Sequence, residues 1–72
     1  MKTKDFRKRL KALGCTVCRQ SGSHEIWVCP NGRKLPPVVT NQREVSRRVL
    51  TSVLRVLRDE GLTLDKGWRK VA

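Results

Sequence analysis

The segment 46–60, "SRRVLTSVLRVLRDE", constrains the fold more than any other part of the chain. Apolar residues recur along one side of it at helical spacing: Val49, Leu50, Val53, Leu54, Val56 and Leu57. This spacing predicts an amphipathic α-helix with a broad apolar face. Ser46 is the expected N-cap, and Gly61 follows the expected end of the helix. An apolar face this broad has to be covered by another element of secondary structure.

Residues 3–13, "TKDFRKRLKAL", predict a second and shorter helix. Phe6, Leu10 and Leu13 follow one another at intervals of four and three residues, which places them in a single apolar stripe. Thr3 is the predicted N-cap. Two apolar helix faces must therefore be covered by the residues that connect the helices.

Three short strands are predicted between the helices, at residues 15–20, 24–29 and 33–39. Ser21, Gly22 and Ser23 form the expected turn between the first two strands. Asn31-Gly32 predicts a type I′ hairpin turn before the third strand, because these residue types accept positive φ angles. Pro36 and Pro37 lack a donor for the sheet, so they are expected to end the third strand or lie on an edge.

These elements predict an α+β fold, a two-layer sandwich of order α-β-β-β-α. Both helices would cover one face of the sheet and leave the other open. Double-stranded-RNA-binding domains have this order and layering. A chain of 72 residues allows one domain, here residues 1–61, and residues 62–72 would be a C-terminal tail with Trp68 as a candidate anchor.

The charge of the chain indicates the class of partner. Seventeen Lys and Arg against six Asp and Glu give a formal charge of +11, which attracts polyanions. Nucleic acid is the first expectation and an acidic protein the second. No apolar run is long enough for a membrane helix or a secretory signal, so a cytoplasmic location is expected. Three cysteines without an export signal predict reduced thiols.

Four segments occur in an order that resembles the HicA family of toxins, small mRNA interferases of bacterial type II toxin–antitoxin systems. They are "LKALG", "RQSGSHEIW", "PNGRKL" and "LTSVLRVL", and the resemblance covers residues 1–61. Its most specific part is Gly22-Ser23-His24, with Arg19 before it and an aromatic residue at Trp27. The resemblance implies an endoribonuclease acting on mRNA with His24 as catalytic residue. It also implies a double-stranded-RNA-binding-domain-like fold and an acidic HicB-like antitoxin that covers the active site in a heteromeric complex.

One departure from the family concerns a second histidine. Many members follow the third strand with a stretch of the form "vPxH". The comparable segment here is "LPPVVTNQREVS", residues 35–46, which has no histidine. A second proton-transfer group would then have to be a lysine, a serine, water or the RNA.

His24 can act as general base or general acid in metal-independent RNA cleavage, because its ordinary pKa of ~6.5 allows both roles at neutral pH. Gly22 and Ser23 would let a phosphate approach the backbone, and Arg19 and Lys34 are candidates for stabilising its charge. Basic residues of the two helices are expected to contact further phosphates. They are Lys4, Arg7, Lys8 and Lys11 in the first helix and Arg47, Arg48, Arg55 and Arg58 in the second.

Other interpretations of the same residues stay open. His24 could simply end a turn, which would leave a non-catalytic RNA-binding module of the same fold. Trp27 could stack on a base, although strand alternation favours core packing on the face opposite His24. Cys15, Cys18, His24 and Cys29 could in principle bind zinc. Residues three apart on a strand face opposite sides, however, so we expect no metal and no cofactor.

Overall fold

The computed structural model describes residues 1–62 and residue 68. It contains helix α1 (Thr3–Ala12), strands β1 (Thr16–Ser21), β2 (His24–Val28) and β3 (Val38–Val39), and helix α2 (Arg47–Asp59). The strands form an antiparallel sheet of order β1-β2-β3. The predicted α+β class and the α-β-β-β-α order are therefore confirmed. Within residues 1–62 and 68, neither helix has the length and hydropathy needed to cross a bilayer.

The two helices begin in different ways. Ser46 caps α2 as predicted, since its Oγ accepts a hydrogen bond from the Val49 N–H at 3.3 Å. The predicted cap at Thr3 is wrong, because α1 begins after Lys2 without a side-chain cap. The Thr3 hydroxyl instead donates to the Gln42 carbonyl at 2.6 Å, and the Thr3 N–H donates to the Arg43 carbonyl at 2.9 Å. Thr3 thus fastens the loop after β3 to the start of α1.

Strands β1 and β2 form a hairpin whose alternation is interrupted once. Ser21 pairs with His24 and Arg19 with Ile26, whereas the next pair is Val17 with Trp27. Cys18 is the extra residue of a β-bulge between these two pairs. The bulge keeps Arg19 on the face of His24 while Val17 shares the face of Trp27.

The third strand is shorter than predicted. The sequence indicated residues 33–39, but β3 contains only Val38 and Val39, and an isolated bridge joins Lys34 to Val28. Pro36 and Pro37 lie between the bridge and the strand and lack the N–H that a ladder needs. The prolines divide the predicted strand into two separate contacts with β2.

The predicted type I′ turn at Asn31-Gly32 is also wrong. The Cys29 carbonyl accepts from the Gly32 N–H at 2.8 Å, so Pro30 and Asn31 are the central residues of the turn. Gly32 has φ +92°, but no non-glycine residue in the described part of the chain has positive φ. Proline fixes φ near −65°, which suits the first central position of a type I turn and excludes type I′.

The core lies between the helices and one face of the sheet. Its members from the helices are Phe6, Leu10, Leu50, Val53, Leu54 and Leu57, and its members from the sheet are Trp27 and Val38. Trp27 is fully buried, which confirms the core interpretation of this residue. Trp68 is also buried and packs edge-to-face on Phe6, with ring centroids 5.7 Å apart. Most of the predicted tail, residues 63–67 and 69–72, lies outside the described residues.

Candidate functional site

His24 follows a two-residue hairpin turn formed by Gly22 and Ser23. Ser21 and His24 are paired on either side of the turn, and Gly22 has φ +58° whereas Ser23 does not have positive φ. A positive φ at the first central residue alone corresponds to a type II′ turn, which matches the twist of a hairpin. The turn presents His24 as the exposed first residue of β2.

Thr40, the residue that follows β3, holds the turn in place. The Ser23 carbonyl accepts two hydrogen bonds from Thr40, one from its N–H at 2.7 Å and one from its hydroxyl at 3.0 Å. His24 itself pairs with Val39. Because a short turn with its carbonyl bonded twice has little freedom, His24 is attached to a rigid frame. No local sequence pattern indicates this role for Thr40.

The face of the sheet opposite the core carries His24, Arg19 and Lys34, and we call it the open face. Arg19 is paired with Ile26, diagonal to His24, and such diagonal neighbours lie about 7–8 Å apart. Lys34 is paired with Val28, four residues along β2 from His24 or about 13 Å. The structure therefore places Arg19 near the histidine and Lys34 at the other end of the open face.

The residue next to His24 points into the core and makes a buried polar network. Glu25 accepts two hydrogen bonds from Arg7, from Nε at 3.0 Å and from Nη2 at 2.9 Å, and one from Trp27 Nε1 at 3.2 Å. The Glu25 side chain is 3% exposed and that of Arg7 is 40% exposed. Arg7, predicted from the sequence as a phosphate contact, thus has its charge compensated by Glu25. Sequence reasoning missed Glu25, because a single acidic residue in a strand carries no signal of burial.

An open groove of about 770 Å³ runs between α1 and the loop of residues 40–43, and we call it the α1 groove. Its cationic lining residues are Lys2, Lys4, Arg7, Lys8, Lys11 and Arg43. The described lining includes no acidic residue and no residue of α2. The four cations predicted in the first helix are therefore brought together, and Lys2 and Arg43 join them.

The four arginines predicted in the second helix form a separate surface. Arg47, Arg48, Arg55 and Arg58 are all exposed on α2. They are not among the residues that line the α1 groove. The basic residues predicted from the sequence thus divide into a set that lines the groove and a set on the exposed surface of α2.

The cysteines occupy two different environments. Cys15 and Cys29 are 2% exposed, whereas Cys18 is exposed. Burial, with a smaller contribution from Cys29, raises the pKa of Cys15 from 9.0 to about 11, and burial also raises the pKa of Cys29. All three are free thiols. Within residues 1–62 and 68, no group of three or more His, Cys, Asp or Glu side chains is placed to hold a metal ion.

Comparison with known proteins identifies the family. The family model described as the HicA toxin of bacterial toxin–antitoxin systems matches residues 3–61, which include both helices and the whole sheet. No match was found among curated proteins or among solved structures. Because the matched region covers most of the 72 residues, the chain belongs to the HicA toxin family.

Proposed function

We propose that this toxin is a metal-independent endoribonuclease that cleaves mRNA, with His24 as its proton-transfer residue. The observation that carries the proposal is the exposure of His24 on a rigid type II′ turn of a HicA-family chain. An exposed imidazole at the start of a strand can approach a phosphodiester without any rearrangement of the core. The net charge of +11 supports a polyanionic substrate.

The proposed chemistry uses the 2′-hydroxyl of the RNA as nucleophile. A base removes the 2′ proton, the oxygen attacks the adjacent phosphorus, and the bond from phosphorus to the 5′-oxygen breaks. An acid protonates the departing 5′-oxygen, which leaves a 2′,3′-cyclic phosphate and a 5′-hydroxyl. His24 can supply the base or the acid. Arg19 is the cation of the open face nearest to it and would neutralise charge on the pentavalent phosphorus.

The turn would contribute to substrate binding as well as to the position of His24. Gly22 has no side chain, and a Cβ built on it would meet no other atom within 4 Å. A phosphate can therefore approach the backbone at this point. The partly buried Ser23 next to it would contribute a hydroxyl donor.

Membership of a toxin–antitoxin family implies an antitoxin partner. We propose that this partner is a HicB-like protein with an acidic surface that covers His24 and so blocks the substrate. Electrostatic complementarity with a chain of charge +11 would favour rapid association.

The test uses mRNA incubated with the purified toxin in excess EDTA, comparing the unaltered chain with His24→Ala and His24→Gln. We expect cleavage by the unaltered chain, cyclic phosphate at the new 3′ ends, and loss of at least a hundredfold in rate in both variants. Thr16→Ala, an exposed change at the far end of the open face, is the matched control. RNA with a 2′-O-methyl group at the cleaved position should resist.

Cleavage that requires a divalent metal, or that persists in both His24 variants, would overturn this assignment. Binding of RNA without any cleavage would instead favour a non-catalytic RNA-binding module. That second function is supported by the α1 groove, whose cations could bind RNA whether or not His24 is catalytic.

A further inference from the structure

The α1 groove is preformed and does not depend on a ligand to hold it open. Its two walls are joined by the hydrogen bonds of Thr3 to the carbonyls of Gln42 and Arg43. An isolated antiparallel β-bridge pairs the backbones of Lys2 and Glu44. A hydrogen bond from the Val45 N–H to the Met1 carbonyl at 3.1 Å extends this connection. The loop is therefore fastened along the first turn of α1, and cations on both walls have fixed backbone positions.

The charge of the groove has a linear arrangement. Lys4, Lys8 and Lys11 follow one another at intervals of four and three residues, so they form a stripe about 10 Å long on one side of α1. Arg43 faces them from the loop. Since Glu25 compensates Arg7, the uncompensated charge of the groove comes from the lysines and Arg43. A stripe of this kind matches a linear polyanion.

The groove also shares one residue with the frame that holds the candidate catalytic turn. Thr40 lines the groove and is the same residue whose N–H and hydroxyl hold the Ser23 carbonyl. An extended chain lying along α1 would thus pass Thr40 and reach the turn that carries His24. The arginines of α2 have no comparable connection to that turn within the described residues.

We propose that the α1 groove binds the sugar–phosphate backbone of single-stranded RNA and directs it to His24. The proposal rests on the proposed function and specifies which of the two basic surfaces receives the substrate. It adds Lys2 and Arg43 to the binding residues. An acidic protein is the other class of ligand for such a surface, but a groove with a linear stripe of cations that shares Thr40 with the turn fits a flexible polyanion better than the exposed arginines of α2 do.

The experiment compares two triple variants that each remove three positive charges. The groove variant is Lys4→Gln with Lys8→Gln and Arg43→Gln, and the matched variant is Arg47→Gln with Arg55→Gln and Arg58→Gln. All six residues are exposed, so neither set should alter the core. Both are made in the full chain carrying His24→Ala, which prevents cleavage. Binding of a fluorescent single-stranded RNA is measured from 50 to 300 mM salt.

We expect the groove variant to lose at least tenfold in affinity and the α2 variant less than threefold. Each phosphate contact contributes about 0.7 to the slope of log affinity against log salt, so the groove variant should lose about 2 units of slope. Long-range attraction falls equally in both variants, because each loses the same charge. The difference between them therefore reports direct contact in the groove.

Equal losses in the two variants, or an unchanged salt slope in the groove variant, would overturn the groove assignment. If the unaltered chain still cleaves RNA in that case, the proposed function survives while the groove assignment does not. If the parent binds no RNA at all, both fail. A groove variant that keeps its RNA affinity but no longer binds an acidic protein partner would reassign the groove to that partner.

Discussion

The Arg7–Glu25 pair supports a stability prediction: replacing Arg7, the more exposed partner, should lower the free energy of unfolding more than replacing Glu25. Arg7→Met removes the two hydrogen bonds that Arg7 donates to Glu25. The carboxylate, which is 3% exposed, then keeps the hydrogen bond from Trp27 Nε1. Glu25→Gln removes the negative charge but keeps an oxygen that can accept from Trp27. The guanidinium then left behind is 40% exposed and can be hydrated.

The magnitudes follow from these exposures. An unpaired buried charge costs about 3–5 kcal/mol, which is the expected loss for Arg7→Met. Glu25→Gln weakens two charge-assisted bonds to a half-exposed partner, and after screening by water the expected loss is about 1–2 kcal/mol. The double variant has no stranded charge, so its loss of unfolding free energy should be close to that of Glu25→Gln and well below the sum of the two single losses.

The assay is urea unfolding followed by tryptophan fluorescence and far-UV circular dichroism. Trp27 and Trp68 are both buried, so exposure of either ring reports loss of the core. With a denaturant slope of about 1 kcal/mol per molar urea, the midpoints of the single variants should differ by about 2 M. The whole domain is expected to have a free energy of unfolding of roughly 4–11 kcal/mol, so the measurement is made at low temperature.

The reasoning would be refuted if Glu25→Gln were as destabilising as Arg7→Met, or more so. It would also be refuted if the double variant showed the simple sum of the two losses. Either result would mean that the carboxylate is hydrated or that the network contributes no coupling. If Arg7→Met is largely unfolded, recovery of the fold in the double variant still decides the question.

Two further predictions concern the turn and the thiols. Gly22→Ala should cost about 1–2 kcal/mol, because φ is +58° while a Cβ would meet no atom within 4 Å. Ser23→Ala, whose backbone φ is not positive, should cost less in the same urea assay, and equal losses would contradict the backbone explanation. Only Cys18 should react with a thiol reagent at pH 8 in the native protein, and all three cysteines after unfolding. Because burial raises the pKa of Cys15 from 9.0 to about 11, the unfolded thiol ionises first. The free energy of unfolding should therefore fall between pH 9 and 11, and Cys15→Ala should flatten that decline.

The elements with strong local signals could be predicted from the sequence. The spacing of Val53, Leu54 and Leu57 and the cap at Ser46 gave α2 within one residue at each end. The alternation of β2 correctly placed Trp27 in the core and His24 on the open face. In each case the residues that form the pattern lie within the element that the pattern predicts.

Features that depend on two distant segments could not be predicted. Thr3 has the residue type of an N-cap, but its hydroxyl donates to the carbonyl of Gln42, 39 positions away in the chain. Glu25 can be buried because Arg7, 18 positions away in the chain, donates two hydrogen bonds to it, and the residues around Glu25 do not specify that partner. The α1 groove likewise requires the loop of residues 40–43 to return to α1. No local pattern contains that information.

The bulge at Cys18 has a consequence for how the toxin behaves at high concentration. A flat outer strand exposes a row of free N–H and C=O groups on which another chain can add a strand and begin aggregation. On β1 the extra residue interrupts this row, and the exposed Arg19 adds charge beside it. At the opposite edge, Pro36 and Pro37 remove two donors just before the two-residue β3. Both edges of the sheet therefore resist edge-to-edge association. The toxin can reach a high concentration without polymerising through its strands.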